Sequence, residues 1–190
     1  MCPEAWGALP VAGEFKKHTI ERLTVHHTAV VLDANSKAPS RARQHQQYHQ
    51  DLGWPDLAYH YLVDASGNVY EGRPVEAVGD TGTEYDPTSH FLVCCEGHFD
   101  EQEITEAQLA SLIDMLAWAA EEYNVSPETI RGHRDWAETT CPGDDLYSYI
   151  SSGFVEEAVK ARLAEGGIRL ETVCGDEAIA LVAGIEAGRA

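Results

Sequence analysis

The sequence has few basic residues. It contains 13 Lys and Arg against 32 Asp and Glu, which gives a formal net charge of -19. Residues 1–60 carry equal numbers of both signs, so the whole acidic excess lies in residues 61–190. Binding to nucleic acid or to anionic lipid depends on Lys and Arg that face phosphates, and no basic stripe is present. The composition therefore argues against nucleic acid as a partner and indicates a solvated acidic surface, with adaptation to high salt as an alternative.

Long apolar runs are also lacking. No stretch approaches the roughly 20 apolar residues that a membrane span needs, so we expect no insertion into a membrane. The first residues, Met1-Cys2-Pro3-Glu4, are not a basic segment followed by an apolar one, so no secretory signal is visible; a signal already removed is the alternative. There is no internal repeat or low-complexity segment. With 190 residues, 44% of them hydrophobic, the chain has the composition of a globular domain, which we expect to be monomeric.

The chain contains five cysteines: Cys2, Cys94, Cys95, Cys141 and Cys174. Because the number is odd, at least one thiol is free, bound to a metal or paired between chains. The adjacent pair Cys94 and Cys95 ends an apolar run and is interpreted as small core residues. Cys2 and Cys174 are candidates for a disulfide across the termini, but the sequence does not place them near each other.

The pattern of the first half predicts strands and one helix. Residues 23–30 are rich in β-branched side chains and predict a strand, on which alternation places His26 and His27 on opposite faces. Three further elements are predicted: a helix from Ser40, as its N-cap, to about Leu52, a hairpin formed by residues 58–64 and 68–72, and a buried strand at residues 90–96.

The second half carries the clearest helix signal. Residues 105–108 form a capping box, and apolar residues follow at helical spacing from Leu109 to Ala120. A single helix is predicted over residues 145–164 and a short last helix over residues 176–185. Strands mixed with helices on this scale predict an α/β fold with a central mixed β-sheet flanked by helices.

Three residues suggest a metal site. His26 projects from the first strand, and His133 and Cys141 bracket a polar loop. Two imidazoles and one thiolate make a three-ligand zinc set that leaves the fourth tetrahedral position to water. An open position is typical of catalytic zinc rather than structural zinc. Spacing alone is weak support for a shared site, because a histidine more often has a packing role.

Five motifs occur in one order along the chain. They are residues 25–29 (VHHTA), 53–60 (GWPDLAYH), 69–73 (VYEGR), 132–135 (GHRD) and 139–143 (TTCPG). This pattern resembles the zinc N-acetylmuramoyl-L-alanine amidases, a family that includes peptidoglycan recognition proteins and phage lysozyme-amidases. The resemblance runs from about residue 4, with Trp6-Gly7-Ala8, to about residue 150. It implies a zinc amidase domain of residues 1–150. Residues 151–190 lie outside the resemblance and are predicted to be a helical C-terminal extension that packs on the domain, with contact to the cell wall or association between chains as alternatives.

The resemblance also implies roles for individual residues. His26, His133 and Cys141 correspond to the ligands of one zinc ion. Tyr59 corresponds to the catalytic tyrosine of the family, and Thr139 to a catalytic position that holds Lys or Thr in active members. Three further residues correspond to positions that contact substrate: His49, His60 and Arg73. The alternative for these three is a packing role in the helix and the hairpin. His27 faces away from the ligand face and is expected to be structural.

Two departures place the chain within the family. The cytosolic wall-recycling branch carries a glutamate and an aspartate where this chain has Cys94 and Cys141, so the resemblance favours the tyrosine-dependent branch. After Arg73 the chain reads Pro74-Val75, where animal recognition proteins carry other residues that help to read the stem peptide. Their peptide preference is therefore not transferred to this chain.

The function implied is zinc-dependent hydrolysis of the amide bond between N-acetylmuramic acid and L-alanine in peptidoglycan. The site of action would be the cell wall outside the cytoplasmic membrane, for a phage lysin or a processed secreted protein. A peptidoglycan-binding module that does not cut is one alternative, and a purely structural zinc site is another. The presence of all three ligands and of Tyr59 favours catalysis.

Binding to cell walls is predicted to be weak and tolerant of salt. Peptidoglycan carries carboxylates, so an acidic chain has to bind it through local groups such as Arg73 rather than through a general attractive field. Co-sedimentation with purified walls at rising NaCl measures this dependence. A steep loss of binding on raising the salt would contradict the prediction, because it would reveal attraction between extended charged surfaces.

Overall fold

A five-stranded sheet forms the centre of the protein. The computed structural model describes residues 1–189. The strands are β1 (Arg22–His27), β2 (Tyr61–Val63), β3 (Val69–Glu71), β4 (His90–Cys95) and β5 (Arg131–Gly132). They lie in the order β3-β2-β4-β1-β5, with β3 antiparallel to β2 and the other neighbouring pairs parallel. The predicted fold class, an α/β fold with a central mixed sheet flanked by helices, is confirmed.

Helices cover both faces of the sheet. They are α1 (Ala38–Asp51), α2 (Glu106–Glu122), α3 (Asp144–Ser151), α4 (Phe154–Glu165) and α5 (Gly175–Glu186). Side chains of α2, α3 and α4 join one hydrophobic cluster with the sheet, and side chains of α1 and α5 join a second cluster on the opposite face. All six residues of β4 are buried, as expected for a parallel strand covered on both faces. Among residues 1–189, no helix has both the length and the apolar character needed to cross a membrane.

The alternation predicted for the first strand is present in β1. Leu23 and Val25 belong to the cluster beneath α2, whereas the ring of His26 faces away from that cluster, toward His133. His27 lies against Phe99 with ring centroids 6.0 Å apart. The two adjacent histidines therefore have different surroundings, and only His26 faces the predicted zinc ligands.

Helix α2 is anchored by a capping arrangement that differs from the predicted box. The Thr105 hydroxyl accepts a hydrogen bond from the backbone N–H of Gln108 at 3.1 Å, as predicted. The Gln108 side chain does not return this bond; it donates to the carbonyl oxygens of Val63 at 2.8 Å and Glu96 at 3.0 Å. These two carbonyls lie at the ends of neighbouring strands and are buried, so satisfying them outweighs completing the box.

Two helix boundaries differ from the prediction. Helix α1 begins at Ala38, so Ser40 is not its N-cap; Ser40 lies in the first turn and donates its hydroxyl proton to the Lys37 carbonyl at 2.8 Å. The single helix predicted over residues 145–164 is the pair α3 and α4. They are separated at Gly153, whose φ of 81° lies in the left-handed region and stops α3.

The two C-terminal helices pack on opposite faces of the sheet. Val155 and Val159 of α4 are buried in the cluster beneath α2, while α5 inserts its buried side chains into the opposite cluster. A disulfide joins Cys2 to Cys174, just before α5, with the two Cα atoms 5.2 Å apart. Cys94 and Cys95 are buried and carry free thiols, which agrees with their interpretation as core residues.

Candidate metal centre and groove

His26, His133 and Cys141 meet at one edge of the sheet. The ligand atoms of the three side chains all lie within 4.8 Å of one another. His26 lies near the end of β1, and His133 directly follows β5; the parallel register pairs Val25 with Gly132, which brings the two histidines side by side. Their ring centroids are 4.6 Å apart, and the Cys141 sulfur lies 3.7 Å from Nδ1 of His26.

The loop before α3 holds Cys141 in place. The Arg134 backbone N–H donates to the Cys141 carbonyl at 2.9 Å, and the His27 backbone N–H donates to its sulfur at 3.4 Å. Gly143 closes the loop with a φ of 88°, and a Cβ there would lie 2.6 Å from the Phe99 backbone. Glycine is therefore required at the point where the cysteine loop passes over the neighbouring chain.

A second loop holds the outer nitrogens of both histidines. Nε2 of His133 lies 2.8 Å from the Thr83 hydroxyl, and Nε2 of His26 lies 3.5 Å from the Tyr85 hydroxyl. The Nδ1 atom of His26 is thereby directed at Cys141. Histidines that bind a metal characteristically use one nitrogen for the metal and the other for such a partner. No sequence pattern points to Thr83 or Tyr85, because they lie in an irregular segment far from the ligands in the chain.

The protonation states of the three side chains are suited to binding a cation. Burial lowers the pKa of His26 well below its usual value and lowers the pKa of His133 to about 4, so both imidazoles are neutral at pH 7 and able to coordinate. Burial raises the pKa of the Cys141 thiol to about 12, while the His27 backbone N–H and Arg134 favour the thiolate. A bound divalent cation deprotonates such a thiol. Two neutral imidazoles and a thiolate are the ligands of a zinc site with an open position.

Tyr59 lies beside this cluster. Its ring centroid is 5.1 Å from that of His26 and 5.8 Å from that of His49. Burial, together with the nearby Cys94 thiol, raises the pKa of Tyr59 well above its usual value. The phenol is therefore protonated at neutral pH and acts as a hydrogen-bond donor rather than as a base.

A groove opens in front of the metal ligands. It has a volume of about 710 Å³, within the range of small-molecule sites. Helix α1 forms one wall, and the loop that carries Thr139 and Cys141 forms another; Tyr59 and His133 also line it. The Thr139 hydroxyl oxygen accepts a hydrogen bond from the Cys141 backbone N–H at 3.2 Å, so this threonine supports the cysteine loop as well as facing the groove.

The residues expected to contact substrate divide into two groups. His49 lines the groove, and its Nδ1 accepts a hydrogen bond from the Ala58 backbone N–H at 3.1 Å. His60 and Arg73 lie elsewhere and are buried. The nitrogens of His60 contact the Leu92 backbone N–H and the Ala77 carbonyl.

The surroundings of Arg73 show what it holds together. Its guanidinium donates to the Leu57 and Val78 carbonyls, and it forms an ion pair with Asp80 at 2.6 Å. The guanidinium therefore fastens the loop after β3 to the segment before β2. For His60 and Arg73, the geometry supports the packing alternative.

The chain is similar in sequence to several known proteins. A family model described as N-acetylmuramoyl-L-alanine amidase matches residues 16–144. The chain belongs to this family. It is 32% identical to peptidoglycan recognition protein 1 of Mus musculus. The 151 aligned residues cover 77% of this chain and 83% of the mouse protein. It is 33% identical over 153 residues to the N-acetylmuramoyl-L-alanine amidase of Homo sapiens, which covers 76% of this chain but only 26% of the human protein.

Solved structures of family members have the same fold. The N-acetylmuramoyl-L-alanine amidase LysC from Clostridium intestinale superposes with a TM-score of 0.63 at 26% identity, covering 82% of this chain and 93% of LysC. Drosophila peptidoglycan recognition protein SD superposes with a TM-score of 0.72 at 24% identity, covering 79% of this chain and 91% of that chain. The family resemblance stated from the five motifs is confirmed.

Replacing Thr83 by valine is predicted to weaken zinc binding about 10- to 100-fold, the usual effect of losing a partner that orients a metal-bound histidine. The substitution removes the hydroxyl that holds His133 Nε2 while nearly preserving side-chain volume. Competition with a chromophoric chelator measures the affinity. Thr88→Val, in the same loop but bonded to Lys16 and Asp86, is the control. Equal zinc affinity of Thr83→Val and the parent protein would show that Thr83 does not orient the ligand.

Proposed function

We propose that this chain is a zinc-dependent amidase that hydrolyses the bond between N-acetylmuramic acid and L-alanine in peptidoglycan. One observation carries the proposal: His26, His133 and Cys141 lie within 4.8 Å of one another at a groove lined by Tyr59. Membership of the amidase family supplies the substrate class. The ligand set supplies the reaction type, because three protein donors leave a position for chemistry.

The ligands prepare the site for catalysis. Thr83 and Tyr85 fix the two imidazoles, and the cysteine loop fixes the sulfur, so the three donors are held before a cation arrives. A zinc ion held by this set would lower the pKa of a water molecule and polarise the scissile carbonyl. The preorganised set keeps reorganisation small at the moment of reaction.

Tyr59 and Thr139 would act on the substrate. The protonated phenol of Tyr59 would donate a hydrogen bond to the carbonyl oxygen as negative charge develops on it. The Thr139 hydroxyl oxygen is occupied by the Cys141 backbone N–H, but its proton is available to a substrate oxygen. The groove wall formed by α1 would orient the peptide side of the scissile bond, with His49 among its residues.

Recognition without cleavage is the competing function. Peptidoglycan recognition proteins are among the relatives of this chain. The feature that favours cleavage is the simultaneous presence of the cysteine ligand and of Tyr59 beside it. A purely structural zinc site would be closed by a fourth protein ligand, whereas among residues 1–189 the cluster at this edge of the sheet has three.

We also propose a setting for the reaction. Peptidoglycan would be the partner, and a monomer would act on it outside the cytoplasmic membrane. Residues 1–150 would form the catalytic unit and residues 151–189 an extension packed on it; Ala190, the last residue of the predicted extension, lies outside the described residues. The family match ends at residue 144, which agrees with a catalytic unit that stops near α3.

Two substitutions test the proposal. Cys141→Ser is expected to lose both zinc and hydrolysis, because a ligand is removed. Tyr59→Phe is expected to retain zinc while its rate falls about 10²- to 10³-fold, since one transition-state donor is lost. Zinc content is measured by elemental mass spectrometry. Hydrolysis is measured by the free alanine amino groups that appear in purified walls.

A tyrosine outside the site provides the control. Tyr149→Phe removes a hydroxyl from a residue that packs against Phe154, and full activity is expected. Undiminished alanine release by both Cys141→Ser and Tyr59→Phe would refute the assignment. Wall binding by the parent protein with no alanine release would instead establish a recognition module.

A further inference from the structure

The α1 wall of the groove carries a cation that forms no close ion pair. Arg41 lines the groove, and its guanidinium donates to the Gln44 side-chain oxygen at 3.3 Å. Among residues 1–189, no carboxylate lies within 4.0 Å of it, although the chain carries a net charge of -19. His45 follows one turn later on the same helix face and also lines the groove.

The His45 ring is held from behind by a buried carboxylate. Its Nε2 donates to Oε2 of Glu96 at 3.3 Å, and the Thr28 hydroxyl donates to the same oxygen at 3.3 Å. The Glu96 side chain is 1% exposed, whereas that of His45 is 13% exposed at the groove. Oε1 of Glu96 is buried and has no hydrogen-bond partner in the part of the chain described, residues 1–189.

Burying the Glu96 carboxylate behind His45 is energetically unfavourable. A buried carboxylate is unfavourable unless it is paired, and His45 is the one ionisable partner within 4.0 Å of Glu96 among residues 1–189. The contact occupies Nε2 and leaves Nδ1 of His45 for the groove. Glu96 thus sets the orientation of a side chain that lines the groove, which ordinary packing does not require.

We propose that Arg41 and His45 bind a carboxylate of the peptidoglycan stem peptide, and that Glu96 is the residue that positions His45. The proposal rests on the function proposed above. A guanidinium pairs with a carboxylate through parallel N–H donors, and His45, held through Nε2 by Glu96, would contact the same carboxylate through Nδ1. An acidic protein has to bind an acidic peptide through such local groups. Arg41 fits this role, whereas Arg73 is buried and paired with Asp80.

The probe is the stem tripeptide L-alanyl-γ-D-glutamyl-L-lysine, compared with the same peptide after conversion of its carboxylates to amides. Neither peptide contains the muramyl amide, so neither is a substrate for cleavage. Isothermal titration calorimetry with the zinc-loaded protein gives both affinities. We expect the carboxylate form to bind about tenfold more tightly, the usual contribution of a charge-assisted hydrogen bond.

Three substitutions test the residues. Arg41→Gln is expected to abolish most of the carboxylate preference, and His45→Gln and Glu96→Gln are expected to reduce it about threefold. A residue with a purely structural role would weaken both peptides equally and leave their ratio unchanged. Arg169→Gln, an exposed arginine in the segment after α4, makes the same change in net charge and is expected to preserve the ratio.

The outcomes separate this proposal from the amidase proposal. Equal affinity for the two peptides, no binding of either peptide, or an unchanged ratio in Arg41→Gln would overturn the carboxylate site. An unchanged ratio in Glu96→Gln, with the folded far-ultraviolet spectrum retained, would overturn its positioning role. If the protein releases no alanine from walls but keeps the preference, the amidase proposal fails and the carboxylate site stands in a recognition module.

Discussion

The site depends on the parallel pairing of two strands of unequal length. Strand β5 contains only Arg131 and Gly132, yet its pairing with β1 sets His133 beside His26. Gly132 is buried at this contact, where a Cβ would lie 2.8 Å from the Pro142 ring. The absence of a side chain at one position therefore lets the cysteine loop approach the strand. Two histidines more than a hundred residues apart in the chain become neighbours through this single register.

Loops without regular structure supply the remaining contacts of the site. The segment with Thr83 and Tyr85 fixes the outer nitrogens of the histidines, and the cysteine loop presents the sulfur from the other side. The ends of the parallel strands form a rigid edge, and the functional groups lie on the loops beyond it, as is usual in α/β folds. The groove wall also differs in charge from the chain as a whole. The chain as a whole is acidic, but Arg41 on the groove wall has no carboxylate partner within 4.0 Å among residues 1–189.

Sequence patterns predicted the strands and the strongest helix because their periodicity reflects burial on the sheet. They placed the N-terminus of α1 wrongly: Ser40 has the chemistry of a cap, but the helix begins earlier, with Pro39 in its first turn. The break at Gly153 was missed because one glycine within a helical pattern is compatible with a continuous helix; its positive φ is visible only in the folded chain.

The motifs identified three residues that lie together in the fold, but they did not identify what surrounds them. His26, His133 and Cys141 were named because the family resemblance fixed their positions. Thr83, Tyr85 and Glu96 were not, since their roles depend on tertiary contacts between distant segments. Arg73 lies within a motif, but its burial beneath the loop after β3 was not visible from composition.

X-ray absorption at the zinc edge of the loaded protein tests whether the three side chains hold zinc with one position open. We expect one sulfur at about 2.3 Å, two imidazole nitrogens at about 2.0–2.1 Å and one further light atom that is not a protein ligand. The light-atom shell should change when a zinc-chelating inhibitor such as a hydroxamate is added. A spectrum without sulfur, or one with four protein ligands that an inhibitor leaves unchanged, would contradict an open catalytic centre.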